Sequence, residues 1–358
     1  MNRHFINGRY VAGQTGETLA KLDPATGEEF ARIACGNAAD IDAAVMAARS
    51  AFDGAWGRLT AAERGRLIAK LSVKVHDHFD ELAKLEARDT GKPMSQARAD
   101  IDATIRYFEF YGGAADKVHG HVIPFLNGYS VSVIHEPHGV TGHILPWNYP
   151  AQMIGRSLTA SLAMGNAVVL KPAEDACSTA FRLAELASEV GFPDGAINIV
   201  AGRGHEAGAA LSAHPGIGFM SFTGSPEVGK MVQHACAEHL IPCTLELGGK
   251  SPQIVFEDAD IEAFVPIACK AIVQNTGQTC SAGSRLLVQK SIYDDVLAEV
   301  AKAFSKLQAG TPEMDLDCGP VINARQRGRV QSFIDQTREA GIPVIAEGRV
   351  AQGVPNGG

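Results

Sequence analysis

VTGHIL (140–145), NAVVL (166–170), AINIV (196–200), GFMSF (218–222) and CTLEL (243–247) are short apolar runs spaced along one stretch of the chain. Each has the length and composition of a buried strand. The segments between them, 151–164, 178–190, 204–213 and 226–239, read as helices. Strand–helix alternation predicts a parallel sheet with crossover helices, the architecture of nucleotide-binding domains. The capping signals agree: Ser178 begins a helix that stops at Gly191, with Pro193 just beyond.

Upstream, Asn37 or Asp40 can cap a helix in which Ile41, Val45, Ala48 and Phe52 recur at helical spacing. A second amphipathic helix is predicted from about Ala61 to Arg88, with Leu67, Leu71, Val75, Phe79 and Leu82 on one face and Gly91-Lys92-Pro93 as its end. Residues 119–138 read as two extended runs around an Asn127-Gly128 turn, a hairpin suited to an assembly arm. Downstream of Gly248 a second α/β region begins. It holds IVF (254–256), a helix near 260–274, RLLVQ (285–289), helices over 292–307 and 323–340, and VIAEG (344–348). The closing GVPNGG (353–358) is turn-like, so the chain is expected to end between elements.

A length of 358 residues suits two or three domains, and the 46% hydrophobic content is that of a globular protein. The net charge of −8 argues against nucleic acid or an anionic membrane surface as partner. The N-terminal MNRHFINGRYVAG has no apolar core of a signal peptide, and Gln152, Arg156 and Asn166 interrupt the longest apolar region. Seven cysteines with no CxxC pair fit neither a disulfide framework nor a zinc site. A reducing cytoplasm is the expected compartment, and no metal is expected.

Five features carry chemistry. Cys280, in QNTGQTCS (274–281), follows a glycine-containing turn and sits among small polar residues, as an accessible thiol would. Glu246, in LELGGK (245–250), is flanked by leucines at a strand end, where desolvation would tune a general base. Asn148 lies between the prolines of PWNYP (146–150), which hold its amide as an oxyanion donor. Ser225, in FTGSPEVG (222–229), reads as an N-cap with Pro226 as the first helical residue, so its helix start can receive a pyrophosphate. Lys171 and Glu174, in KPAE (171–174), follow a strand where an adenosine ribose would lie. An acid there would repel a 2′-phosphate, which favours NAD over NADP.

Each feature has a plainer reading when taken singly: a buried thiol, an edge-strand acid, a turn asparagine, an ordinary cap and a surface ion pair. Two further patterns are set aside. GRGHEAG (202–208) is GxGxxxG and lacks the dinucleotide spacing. His135, His138 and His143 have no cysteine or carboxylate at ligand spacing and are read as ordinary residues.

Together, PWNYP, KPAE, FTGSPEVG, LELGGKSP (245–252) and GQTCSAGSR (277–285) resemble the aldehyde dehydrogenase superfamily in order and spacing, along essentially the whole chain. The resemblance implies an α/β protein. A Rossmann-type NAD-binding domain would cover 1–118 and 140–247, and a β-hairpin oligomerisation arm 119–139. A catalytic domain would cover 248–358, incomplete at its C-terminus. It implies NAD-dependent oxidation of an aldehyde to the carboxylate through a cysteine thiohemiacetal and thioester. Cys280 would be the nucleophile, Asn148 and the Cys280 N–H the oxyanion donors, and Glu246 the base for hydrolysis. Lys171, Glu174 and Ser225 would bind the cofactor, joined by Pro146, Trp147, Gly224 and Leu247. Glu246 also argues against acyl transfer to coenzyme A, because relatives of that kind lack a glutamate there. A homodimer or homotetramer is the expected full-length assembly.

Three departures bear on the carry-over. The chain stops before a segment resembling EEIFGP, so a C-terminally truncated member is expected, and a non-catalytic NAD-binding fragment or structural relative is the alternative. Ser157 stands nine residues after the asparagine, where many members have a lysine that relays protons. Arg156 stands where an aromatic residue is common; succinate-semialdehyde dehydrogenases are similar there, and their arginine pairs a substrate carboxylate. Their second arginine, six residues before the cysteine, is Gln274 here. A semialdehyde with an acidic or polar tail is the resulting substrate expectation.

Overall fold

A computed structural model of the chain describes residues 2–355. In chain order the elements are β1 (His4–Ile6), β2 (Arg9–Val11), β3 (Thr18–Leu22), β4 (Glu29–Ala34), α1 (Ala38–Asp53), α2 (Ala61–Asp77), α3 (Phe79–Thr90) and α4 (Met94–Ala114). Then come β5 (His121–Ile123), β6 (Val131–Val133), β7 (Val140–Ile144), α5 (Pro150–Ala163), β8 (Ala167–Lys171), α6 (Ser178–Glu189) and β9 (Ile197–Ile199). These are followed by α7 (Ala209–Ser212), β10 (Phe219–Gly224), α8 (Pro226–Glu238) and β11 (Cys243–Leu247). The remainder is β12 (Pro252–Val255), α9 (Ile261–Val273), β13 (Arg285–Val288), α10 (Tyr293–Phe304), β14 (Gln308–Ala309), α11 (Ala324–Glu339) and β15 (Arg349–Val350). Among the described residues, no helix is long and apolar enough to cross a membrane.

The chain divides into two compact units. The first comprises residues up to Leu19, Arg32–Leu82 and Asp100–Glu246; the second comprises Ala20–Ala31, Ala83–Ala99 and the chain from Leu247 on.

The first unit is built on a seven-stranded sheet of order β11-β10-β7-β8-β9-β1-β2. Strands β10, β7, β8 and β9 run parallel, as the alternating pattern requires, while β1 joins β9 antiparallel and closes that edge with β2. All five residues of β8 are buried, which is why its first four, Ala167 to Leu170, read as a continuous apolar run with no polar face. Side chains alternate across the sheet. A Cβ on Gly142 would meet Met220 and Leu211 of α7, so that parity faces α7 and its neighbour α1. Thr141 and His143 take the other parity, under α5.

Local signals explain the helix boundaries. Asn37 accepts from the backbone of Ala39 and Asp40, and Asp40 returns a bond to the Asn37 N–H, so both candidate capping residues take part. The single helix expected over 61–88 is two. The His78 Nδ1 lies 2.9 Å from the Lys74 carbonyl and closes α2, and α3 restarts at Phe79. The hairpin forms with three-residue strands. Tyr129 N–H bonds the Leu126 carbonyl, and of the central Asn127-Gly128 pair only Gly128 is left-handed, the pattern of a type II turn. Its Val122, Phe125, Leu126, Tyr129 and Ile134 are exposed.

In the second unit β12 pairs parallel with β13, and β14 with β15. VIAEG forms no strand, contrary to expectation. Gly348 brings the backbone against the Leu307 carbonyl, and pairing starts one residue later with Arg349 N–H donating to that carbonyl. Buried ion pairs Lys21–Asp89 at 2.6 Å and Lys92–Glu86 at 3.5 Å also lie in this unit. Of the closing GVPNGG, residues 356–358 lie outside the described residues.

Candidate active site

The carboxyl ends of the parallel strands carry most of the residues singled out in the first unit. Asn148 is half-buried in the turn between β7 and α5, and Pro150 starts that helix. Pro146 and Trp147, before it in the same turn, are half-buried too. Lys171 ends β8 and is buried, and its ammonium lies 2.9 Å from half-buried Glu174. Gly224 ends β10. Ser225 caps α8 by accepting from the Val228 N–H at 3.3 Å, and Pro226 occupies the first helical position. The positive end of a thirteen-residue helix therefore opens beside a strand's carboxyl end. A Cβ at 224 would stand 2.5 Å from the Phe222 ring, so any larger residue there makes that ring shift.

Glu246 differs from expectation. β11 is the outermost strand on its side of the sheet, so Glu246 and Leu247 are exposed rather than enclosed by the flanking leucines. In this chain the strand itself does not desolvate the carboxylate.

Glu246 does line a cavity of about 650 Å³ within the first unit. Its floor is one parity of three strands: Thr141 and His143 on β7, Ser221 and Thr223 on β10, Thr244 and Glu246 on β11. Helix α5 supplies the roof with Arg156, Ser157 and Ser161. A chain of hydrogen bonds runs along the wall. Ser221 Oγ is 3.0 Å from Ser157 Oγ, which is 2.7 Å from His143 Nδ1. On the other side of the ring, His143 Nε2 is 2.9 Å from Thr141 Oγ1, which is 2.8 Å from Ser161 Oγ. Burial pushes His143 down to about 3, so the ring stays neutral at ordinary pH. Arg156 donates to the Met153 sulfur at 3.3 Å, and among the described residues no carboxylate lies within ion-pair distance of it.

Ser221 was not singled out from the sequence, and His143 was read there as an ordinary residue. The usable signal was the period-two pairing of Thr141 with His143 opposite Ser157 and Ser161, which lie one helical turn apart. His138 stacks on Phe219 at 4.9 Å, so it and His143 have separate roles. In GRGHEAG, Gly202 lets two backbones meet, since a Cβ would lie 2.8 Å from the Gly36 carbonyl oxygen; the 204–208 segment is a π turn.

Cys280 belongs to the second unit. After α9 the backbone passes through Asn275, Thr276 and Gly277, all left-handed, with φ of 49°, 58° and 75°. Such a run persists only when its surroundings hold it. Asn275 N–H donates to Gln96 at 2.6 Å, the Thr276 hydroxyl donates to the Gly319 carbonyl at 3.0 Å, and Gln278 Oε1 accepts from the Ile322 N–H at 3.0 Å. The turn presents a half-buried thiol, and the Gly249 backbone passes close to the Cys280 carbonyl. Burial raises the thiols of Cys35, Cys236, Cys269 and Cys318, which makes them poor nucleophiles.

Comparison with known proteins gives the same reading. The aldehyde dehydrogenase family model matches residues 10–358. A curated relative, aldehyde dehydrogenase family 2 member B4, mitochondrial, from Arabidopsis thaliana, is 44% identical over 92% of this chain; the chain spans 62% of that protein's length. A solved structure from Burkholderia cenocepacia, described as a candidate aldehyde dehydrogenase, is 56% identical with a TM-score of 0.98, covering 99% of this chain and 75% of that one. The NAD+ complex of the Bacillus cereus aldehyde dehydrogenase is 42% identical with a TM-score of 0.93, covering 95% and 70%. Fold and motifs agree over almost the full length: this chain belongs to the aldehyde dehydrogenase family.

Proposed function

We propose that this chain carries the machinery for NAD-dependent oxidation of an aldehyde to a carboxylate, with Cys280 as nucleophile. The observation that carries the reading is the Cys280 turn. Three left-handed residues, tied to Gln96 and Gly319 and followed by Gln278 tied to Ile322, present a half-buried thiol.

The first unit fits NAD. The N-terminus of α8, capped by Ser225, suits a pyrophosphate, and glycine at 224 admits close approach. Lys171 and Glu174 would hold the adenosine ribose, and the Glu174 carboxylate would repel a 2′-phosphate. Pro146, Trp147 and Leu247 would flank the nicotinamide. That a family relative was solved as an NAD+ complex supports the assignment. NAD, when bound, supplies the hydride acceptor.

The Cys280 thiolate adds to the aldehyde carbonyl, and the Asn148 amide with the Cys280 N–H holds the oxyanion of the thiohemiacetal. After oxidation the acyl group remains on sulfur as a thioester. Glu246 takes a proton from water, the hydroxide adds to the thioester, and the C–S bond breaks to release the thiolate and the carboxylic acid, which loses its proton to solvent. Arg156, facing the cavity without a carboxylate partner, would receive an acidic or polar tail on the aldehyde. We assign the first unit to cofactor binding and the second to catalysis. The hairpin 119–139, with its exposed apolar side chains, becomes the arm of a homodimer or homotetramer.

A panel of aldehydes with NAD and with NADP tests this reading. NADH formation that disappears in Cys280→Ser is expected. Turnover faster with NADP would overturn the role of Glu174, and turnover that survives Cys280→Ser would overturn the mechanism.

A further inference from the structure

Helix α8 carries Cys236 in its last turn, and strand β11 opens with Cys243. A tight reversal joins them. The Cys236 carbonyl accepts from the His239 N–H at 3.2 Å and from the Ile241 N–H at 2.9 Å, and Leu240 takes a left-handed φ of 55°. The Pro242 carbonyl then accepts from the Met220 N–H at 3.0 Å, which lays β11 against β10. Strand parity decides which way Cys243 points. Thr244 and Glu246 line the cavity under α5, so Cys243 takes the opposite face, toward the layer of α7 and α8. Cys236 lies in that layer. It is 1% exposed, and its Sγ is 4.0 Å from the Ser212 carbonyl at the end of α7. The Cys236 and Cys243 thiols are hydrogen-bonded to each other, and Cys243 is only half-buried.

We propose that Cys236 and Cys243 are a redox-active dithiol, a modification site independent of the aldehyde chemistry above, which a hydroperoxide converts reversibly to a disulfide joining α8 to β11. Two features favour chemistry over packing: the thiols touch, and solvent reaches one of them. The roles divide by access. The Cys243 thiolate attacks a peroxide oxygen, the O–O bond breaks, and Cys243 becomes a sulfenic acid while the other oxygen leaves as hydroxide and takes up a proton. The Cys236 sulfur then displaces the sulfenic hydroxyl. The S–S bond forms as the S–O bond breaks, and the Cys236 proton leaves with the hydroxide as water. The two thiols have lost two electrons and two protons, and hydrogen peroxide has become two waters. A dithiol reductant reverses the change by thiol–disulfide exchange.

Burial, and then the Cys243 thiol beside it, push the Cys236 thiol up to about 11. That makes Cys236 a poor first target for an oxidant from solvent. It suits the second role, in which the electrophilic sulfur is already held next to it and proximity replaces intrinsic reactivity. The consequence falls on β11, the outermost strand on its side of the sheet and the one that carries Glu246. A disulfide at its first residue closes a short loop and pins the strand's start to a buried helical position, which opposes fraying of that edge. The Ser225 cap lies at the other end of α8 and keeps its geometry.

The test treats the full chain with hydrogen peroxide, blocks the remaining thiols by alkylation and maps tryptic peptides by mass without reduction. Residues 231–250 form one tryptic peptide that holds both cysteines. After peroxide this peptide is expected to be lighter by two hydrogens and free of alkylation; after dithiothreitol it should take two alkyl groups. Cys236→Ala should leave Cys243 as a sulfenic acid that dimedone traps, and Cys243→Ser should leave Cys236 reduced at the same peroxide dose. Amide hydrogen exchange over 243–247 should slow roughly tenfold on oxidation of the wild type and be unchanged in Cys243→Ser.

A peptide that still takes two alkyl groups after peroxide, or Cys243 found over-oxidised or paired with a cysteine outside 231–250, would overturn the dithiol. Exchange that does not slow in the oxidised chain would overturn the restraint on β11. A Cys236→Ala protein that does not fold leaves the wild-type peptide and Cys243→Ser to decide. No arm uses NAD or an aldehyde, so failure here leaves the oxidative reading untouched, and failure of that reading leaves this result standing.

Discussion

Acidification should destabilise the first unit through His143, and the size of the effect follows from burial. The ring is held at about 3 in the fold, against 6.5 when exposed. Its folded-state value is depressed, so the unfolded chain binds the extra proton. The stabilisation is complete above pH 6.5 and is lost as pH falls toward 3. Each pH unit in that window is worth about 1.4 kcal/mol, which makes about 2 kcal/mol between neutral pH and pH 5. Buried His4 is displaced in the same direction by desolvation, so the wild-type slope alone does not isolate His143. Denaturant unfolding of wild type and His143→Gln at pH 7, 6 and 5 does, since the glutamine has no proton to bind. The stability difference between the two proteins should shrink by about 2 kcal/mol over that range. Parallel pH dependences would refute the claim that His143 is held neutral by burial.

Three other perturbations follow from named contacts. Asp89→Asn removes the carboxylate 2.6 Å from the buried Lys21 ammonium and should cost about 3 kcal/mol, read as a lower denaturation midpoint. Asn148→Ala removes an oxyanion donor and should lower kcat by about a hundredfold with KM for NAD little changed, measured by initial rates. Arg156→Ala should erase any preference for carboxylated over uncharged aldehydes, read as a ratio of kcat/KM; a ratio that does not move would dismiss the arginine as a substrate contact.

Much of this architecture was legible because it is periodic. The five apolar runs between 140 and 247 became β7 to β11, with the expected helices between them. Ser225 and Pro226 took the capping positions their types prefer. Helix α4 was equally periodic, with buried Ala97, Ile101, Thr104 and Phe108, yet its small and polar members weakened the pattern. β1 and β2 are only three residues long, too short for alternation to show, and exist because β9 offers an edge. The exposure of Glu246 was not legible, because leucines on either side say nothing about whether a strand lies at the sheet's edge. The Ser157–His143 run was hidden for a related reason: it joins residues from β7, α5 and β10 that only the parallel register brings together. The left-handed run before Cys280 carries one glycine in three positions, so its strain is visible only in the backbone.

The central claim is that Cys280 carries the acyl group. Quenching the chain in acid during turnover of an aldehyde with NAD, then mapping peptides by mass, tests it directly. The acyl mass is predicted on the peptide containing Cys280, and absent in Cys280→Ser. An adduct on another cysteine, or turnover that continues in Cys280→Ser, would contradict the account.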